Sequence, residues 1–189
     1  LTLRICTSPL NGHPTKIIPV VAHNTGALGP CFSVSVGMAI GLKLNNKHCK
    51  VFTLLGDGEL SEGSIWEALL SANKYNLDNL VVIVDRNKLQ ITGRTEEVNP
   101  IEPLKDKFNS FGLSTREIDG NSVYELNEVF SKTPFEKNKV NVIITNTVKG
   151  KGISVMENEV VWHHKVPTEE QYNLALNELE ELKINIEND

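Results

Sequence analysis

Two short apolar runs, each ending in a residue with a polar oxygen and separated by one helical stretch, constrain this chain more than any other feature. The first is Val51-Phe52-Thr53-Leu54-Leu55, followed by Gly56-Asp57-Gly58. The second is Leu80-Val81-Val82-Ile83-Val84, followed by Asp85-Arg86-Asn87-Lys88-Leu89. Each run has the length and composition of a buried strand, so the unit reads as β-α-β. Such a crossover makes the strands parallel, and Asp57 and Asn87 then emerge together at the carboxyl edge of the sheet. Open α/β sheets bind ligands at that edge. Neighbouring strands lie roughly 4.8 Å apart, close enough for one small cation to bridge the two side chains. Magnesium takes octahedral oxygen ligation, with one or two protein ligands and substrate phosphates completing the shell. One carboxylate between glycines and one amide suit a metal that clamps a diphosphate. A Gly-Asp-Gly by itself is a common turn; its place between strand and helix, with Asn87 following, is what points to a site.

The rest of the sequence continues the alternation. Small and apolar residues (Val34, Val36, Met38, Ala39, Leu42) predict a helix over 32–44 that packs closely on a sheet. The crossover helix runs over 62–75, with a buried stripe of Ile65, Leu69 and Ala72 at helical spacing. Ser64-Ile65-Trp66-Glu67 matches a capping box, with Ser61 as a rival cap. A loop with Gly93 and Pro100 leads to a helix over 101–111, a strand over 114–118 and a helix over 122–130. A further strand over 140–145 and a closing helix over 169–182 complete the order. Strand–helix alternation of this kind implies an α/β domain, a mostly parallel sheet with helices on both faces.

Composition narrows the partners. With 189 residues, 40% of them hydrophobic, the chain can bury one sizeable core and reads as one domain. Its 19 basic and 24 acidic residues give a net charge of −5 without a basic block, which argues against nucleic acid and an anionic membrane as partners. Cys6, Cys31 and Cys49 lack zinc-like spacing, and reduced thiols in a cytoplasmic protein are their simplest account. No apolar run reaches the length of a membrane span.

From Gly-Asp-Gly to the asparagine thirty residues on, the chain resembles the thiamine-diphosphate enzymes, and within them the transketolases. Gly56-Asp57-Gly58-Glu59-Leu60-Ser61-Glu62-Gly63-Ser64-Ile65-Trp66-Glu67-Ala68 is similar to the transketolase segment almost residue for residue. Gly12-His13-Pro14, Thr25-Gly26-Ala27-Leu28-Gly29, Lys149-Gly150-Lys151-Gly152, Met156-Glu157-Asn158 and Trp162-His163 follow in family order. The likeness spans nearly the whole chain.

The resemblance implies roles for individual positions. Asp57, Asn87 and the backbone carbonyl of Leu89 would ligate magnesium or calcium. Gly58 would offer its backbone to the diphosphate, a close approach that a Cβ would hinder. Gly26, Ala27 and Leu28 would touch the thiazolium and pyrimidine side of the cofactor, and Lys149 and His163 would reach the cofactor too. His13 and His163 would face the substrate, while Glu62 would join a hydrogen-bonded network across a subunit interface. His163 and His164, adjacent in sequence, are expected to point in different directions, with only His163 in the family position. Two departures stand out: Pro30-Cys31 replaces a polar residue and glycine, and His164 stands where glycine is common.

The implied activity is transfer of a two-carbon ketol unit from a ketose phosphate to an aldose acceptor, with thiamine diphosphate and a divalent metal. The family also has a segment before its Gly-His-Pro, so the domain over 1–189 is expected to lack its N-terminal portion. The chain stops near the point where the N-terminal subunits of split transketolases stop. A partner chain carrying the pyrimidine-binding domain is therefore expected, in a heterotetramer, and with it the glutamate that activates the cofactor. Two alternatives stay open. One is another thiamine-diphosphate enzyme, such as 1-deoxyxylulose-5-phosphate synthase or a 2-oxoacid dehydrogenase subunit. The other is a non-catalytic binding or assembly module built on the same fold, which Pro30-Cys31 and the absent front segment motivate.

Overall fold

A computed structural model describes residues 12–188; Cys6 lies outside them. The elements run α1 (Pro30–Leu44), β1 (Val51–Gly56), a 3₁₀ turn (Gly58–Ser61), α2 (Gly63–Lys74) and β2 (Leu80–Arg86). There follow β3 (Leu89–Gln90), β4 (Gly93–Arg94), α3 (Thr95–Val98), α4 (Leu104–Ser110), β5 (Ser114–Asp119) and α5 (Val123–Ser131). Last come β6 (Asn141–Asn146), a 3₁₀ turn (Val160–His163) and α6 (Glu169–Asn188). The main sheet has the order β1-β2-β6-β5 and is parallel throughout, as the alternation predicts.

Two layers of side chains hold helices to this sheet. On one face Phe32, Val36 and Ala39 of α1, Ile65, Leu69 and Ala72 of α2 and Phe108 of α4 pack against Leu55, Val82, Val84, Val142 and Ile144. The predicted stripe on α2 is fully buried; burying such a side chain is worth about 1.5–3 kcal/mol. On the other face Val81 and Ile143 meet Val129 of α5, with Ile118, Phe130 and Phe135 around them. Val34, Met38 and Leu42 of α1 are only half-buried.

The structure corrects the reading of β1 as a buried strand. Its burial alternates, and Phe52 and Leu54 are 53% and 68% exposed. Among the described residues β1 is an edge strand, and Phe130 of α5 lies against its second face through a ring contact with Phe52. A short apolar run cannot reveal which of its faces is covered.

The cap of α2 also differs. Its N-cap is Glu62, with no side-chain cap bond, so Ser64 lies within the first turn, and the Ser61 hydroxyl accepts a bond from Asn99 Nδ2 (3.0 Å). Side-chain caps form instead on α5, where Ser122 Oγ accepts from Glu125 N (3.2 Å), and at the start of α6, where Thr168 Oγ1 accepts from Gln171 N (3.3 Å). The loop expected around Gly93 contains the antiparallel β3–β4 hairpin, too short to leave a period-2 pattern.

Candidate metal and diphosphate site

Parallel pairing brings the ends of β1 and β2 level. Gly56 is in register with Asp85, and Asp57 N donates to Asp85 O (3.2 Å). Asp57 and Asn87 therefore leave their strands side by side, as the spacing predicts. Asp57 is 1% exposed. Its Oδ2 accepts from Arg86 Nη1 (2.9 Å) and Lys88 N (2.6 Å), and its Oδ1 accepts from Gly58 N (2.8 Å). Asn87 is held by both ends of its amide: Nδ2 donates to Asp85 Oδ2 (3.2 Å), and Oδ1 accepts from Leu89 N (2.9 Å). Asp85 is fixed in turn by a short bond from the Thr147 hydroxyl.

Lone-pair accounting tests whether this arrangement fits a metal. Each carboxylate or amide oxygen can accept two bonds. Asp57 Oδ2 is full, while Asp57 Oδ1 and Asn87 Oδ1 each keep one acceptor position. Thr95 N donates to Lys88 O (3.0 Å). Antiparallel pairs alternate between bonded and non-bonded, so Leu89, paired with Arg94, takes a non-bonded position with its carbonyl turned away from β4. Two single side-chain acceptors and one carbonyl match what an octahedral cation takes from protein when a diphosphate supplies further oxygens. The residues fit.

The glycine at position 58 has a visible local cause. A Cβ there would stand 2.8 Å from Gln90 Cβ and 3.4 Å from Gln90 Oε1, so the close approach is first of all to the β3 strand. Gln90 Oε1 is itself buried without a hydrogen-bond partner, an acceptor left open beside the Gly58 backbone.

Lys149 and His163 lie near enough to each other to interact electrostatically. The 3₁₀ turn that carries His163 packs against β3. Burial, then the positive charges of Lys149 and His164, lower the His163 pKa, which favours the neutral imidazole. The His163 and His164 rings lie edge to face, centroids 4.7 Å apart. This corrects the expectation that they point in different directions: where the 3₁₀ turn ends, at His164, the chain folds one ring against the other.

The remaining expected residues form a second group. His13, Gly26, Ala27 and Leu28 line a cleft of about 1090 Å³ that runs along β1 and α1. The His13 ring lies beneath Gly26, 3.7 Å from where a Cβ would stand, and Thr25 N donates to Pro14 O (3.1 Å). Glu62 is exposed at the start of α2, a position where the helix dipole favours an acid. Pro30 is tolerated because it occupies the first turn of α1, where its missing N–H has no intrahelical role. Cys31 is half-buried, with its thiol 3.8 Å from Asn24 O.

Sequence reasoning missed three residues that hold these groups together. Arg86 is the buried partner of Asp57. Gln90 lies over Gly58. Glu59 ties the two groups, since Oε1 accepts from Gly29 N (2.8 Å) and Oε2 from Gly56 N (3.2 Å). The neighbourhood of Gly58 was the signal for Glu59; Arg86 had none, because its partners are distant in sequence.

A parallel α/β domain with paired oxygen donors at adjacent strand ends is the architecture of a cofactor-binding enzyme domain. Residues 2–177 match the family described as the thiamine diphosphate binding domain of transketolase, and the chain belongs to that family. It is 46% identical over 174 residues to an apulose-4-phosphate transketolase subunit of Phocaeicola vulgatus, covering 92% of this chain and 62% of that protein. It is 41% identical over 156 residues to the 6-deoxy-6-sulfo-D-fructose transketolase subunit SqwG of a Clostridium species, covering 82% of this chain and 57% of that protein. Among solved structures, transketolase from Campylobacter jejuni superposes with a TM-score of 0.84 at 28% identity, over 95% of this chain and 29% of that one. The chain thus spans less than two thirds of the relatives it matches.

Proposed function

We propose that this chain is the diphosphate-binding part of a transketolase that moves a two-carbon ketol unit from a ketose phosphate, or a similarly anionic ketose, to an aldose acceptor. The observation that carries the reading is the level pair Asp57 and Asn87, each with one open acceptor position, Asp57 held by the buried Arg86 guanidinium. Thiamine diphosphate, when bound, supplies the carbanion that cleaves the bond beside the ketose carbonyl.

This chain's own residues bind and orient. Asp57, Asn87 and the Leu89 carbonyl would hold magnesium or calcium, with Gly58 and Lys149 toward the diphosphate. Gly26, Ala27 and Leu28 would flank the middle of the cofactor. His163, biased toward its neutral form, can donate and accept at a sugar oxygen, and His13 would orient the reacting end. Glu62, exposed at the start of α2, is available to a subunit interface. The Phocaeicola and Clostridium relatives are both named as subunits, which supports a partner chain bearing the pyrimidine-binding domain, in a heterotetramer. The free thiols Cys31 and Cys49 suit the cytoplasm. No helix among the described residues is long and apolar enough to cross a membrane.

The test is reconstitution. The full-length protein and the partner chain are assayed separately and mixed, following two-carbon transfer from a ketose phosphate to an aldose phosphate. Activity only in the mixture is expected. Activity of the first chain alone would refute the divided site, and a heteromer that binds the cofactor without turnover would favour a non-catalytic role.

A further inference from the structure

Gly29 and Glu59 lie 30 residues apart in the chain, yet the Glu59 side chain joins the turn at 26–28 to the end of β1. Glu59 directly follows Gly58 in the 3₁₀ turn. Its Oε1 accepts from Gly29 N (2.8 Å) and its Oε2 from Gly56 N (3.2 Å). The half-buried carboxylate also lines the cleft that Gly26, Ala27 and Leu28 line. Bonds from Thr25 are of a different kind. Thr25 N and Oγ1 both donate to Pro14 O (3.1 Å each), which joins one part of the 12–29 segment to another. Gly29 packs closely against Ser64 and Glu62, but packing does not direct an N–H. Glu59 fastens the turn to the sheet.

We infer that Glu59 is a positioning residue for the cofactor, holding the turn at 26–28 in its binding form before the cofactor arrives. The inference rests on the reading of Gly26, Ala27, Leu28 and Gly58 as cofactor contacts. A ligand that touches both places loses affinity to the ordering of whatever is loose between them, and a prearranged loop removes that loss. The residue type matters as well. A carboxylate has only acceptors and can serve two backbone donors at once. An amide has a single acceptor oxygen and would set its NH₂ against the other N–H. Glu59 does add a negative charge to a site for an anionic cofactor. Two backbone N–H groups and the start of α1 offset that charge, so prearrangement is expected to outweigh repulsion.

The experiment uses the full-length protein assembled with its partner chain, at saturating Mg²⁺, with thiamine diphosphate binding followed by intrinsic fluorescence. E59Q, which keeps the size of the side chain, is expected to raise the half-saturating cofactor concentration about tenfold, the equivalent of one hydrogen bond to a charged group. E59A loses both bonds and should raise it further. Two-carbon transfer at saturating cofactor should fall less than affinity does, because bound cofactor restores the turn. Hydrogen exchange gives a readout without cofactor: the Gly29 amide of the full-length protein is expected to exchange slowly in the parent and faster in both variants. A half-saturation that is unchanged or lower in a folded E59Q overturns the inference, even if the melting temperature drops, since a purely structural brace would behave that way. Lost turnover with unchanged affinity overturns it too. If neither variant folds, exchange in the parent decides: slow exchange at Gly29 supports the inference, and exchange as fast as in an unprotected loop overturns it. The cofactor reading itself fails in a different way: the parent complex would bind no thiamine diphosphate, or D57N would bind it like the parent.

Discussion

One carboxylate, Glu59, fixes where the turn at 25–29 meets the end of β1, by accepting from Gly29 N and Gly56 N with its two oxygens. Backbone donors captured this way are charge-assisted bonds, stronger than neutral ones. His163 shows the opposite kind of control, since its pKa is lowered by burial and by nearby positive charge. The folded chain therefore favours the neutral ring, so the linked stability is fully present above the unfolded pKa and is lost as pH falls through the folded one. In Lys149→Ala one repelling charge is gone, so the His163 pKa is expected to rise toward its ordinary value. An NMR titration of the imidazole reads this directly, and a pKa that stays put or falls would remove Lys149 from the account. At this scale the sequence was legible where a motif marks a turn, as at Asp57 and Asn87. It was not legible at Arg86, whose partners Asp57, Thr95, Glu96 and Glu102 come together only when β1, β2 and the segment after β4 are in place.

Between elements, glycine positions report how tightly pieces approach. Gly29, at φ +86°, would place a Cβ 2.6 Å from Ser64 Oγ and 3.0 Å from Glu62 Cβ, so α1 and α2 start against each other. Gly37, inside α1, would place its Cβ in open space. Gly29→Ala is expected to lose about 1–3 kcal/mol through backbone strain, and Gly37→Ala to gain about 0.4–1 kcal/mol through a stiffer unfolded chain. Urea unfolding of the two variants checks the pair; equal effects would mean that Gly29 is not a contact point. Whereas α3 and the β3–β4 hairpin are too short to leave a pattern, the longer helices and strands followed from apolar runs and spacing. The ends did not: α6 continues to Asn188 rather than to 182, because its apolar residues Ile184 and Ile186 are 55% and 67% exposed and keep no clear spacing against a core. The cap at Glu62 was hidden because two serines nearby have better capping chemistry, while the approach of Gly29 to Glu62 and Ser64 fixes this end of α2.

For the molecule as a whole, ligand linkage should be visible. A cofactor held through a metal stabilises the folded state by about 2.7 kcal/mol at a hundredfold excess over its dissociation constant. In a domain of this size each kcal/mol moves the melting temperature by about 2–4 °C. Thermal unfolding of the complete protein with its partner chain is expected to shift upward with thiamine diphosphate plus Mg²⁺, and EDTA should cancel the shift. A shift that survives EDTA would separate the cofactor from Asp57 and Asn87. Fold class was readable from alternation alone, since parallel pairing needs crossovers and the sequence spaces them regularly. The open face of β1 was not, because burial of a sheet face depends on which helix lies over it.

The position of β6 has a consequence for how the protein is made. Among the described strands of the main sheet it is the last to leave the ribosome, yet it lies between β2 and β5. Until residue 146 has emerged, the described strands β1 and β2 lack the neighbour that joins them to β5, and a two-stranded ribbon is marginal by itself. Contacts separated by some sixty residues, such as Thr145 Oγ1 to Val84 O, also slow folding through loop closure. The nascent chain can display Asp57 and Asn87 long before it can hold them level. A site built on Asp57 and Asn87 would then form only after the late central strand β6 has joined the sheet.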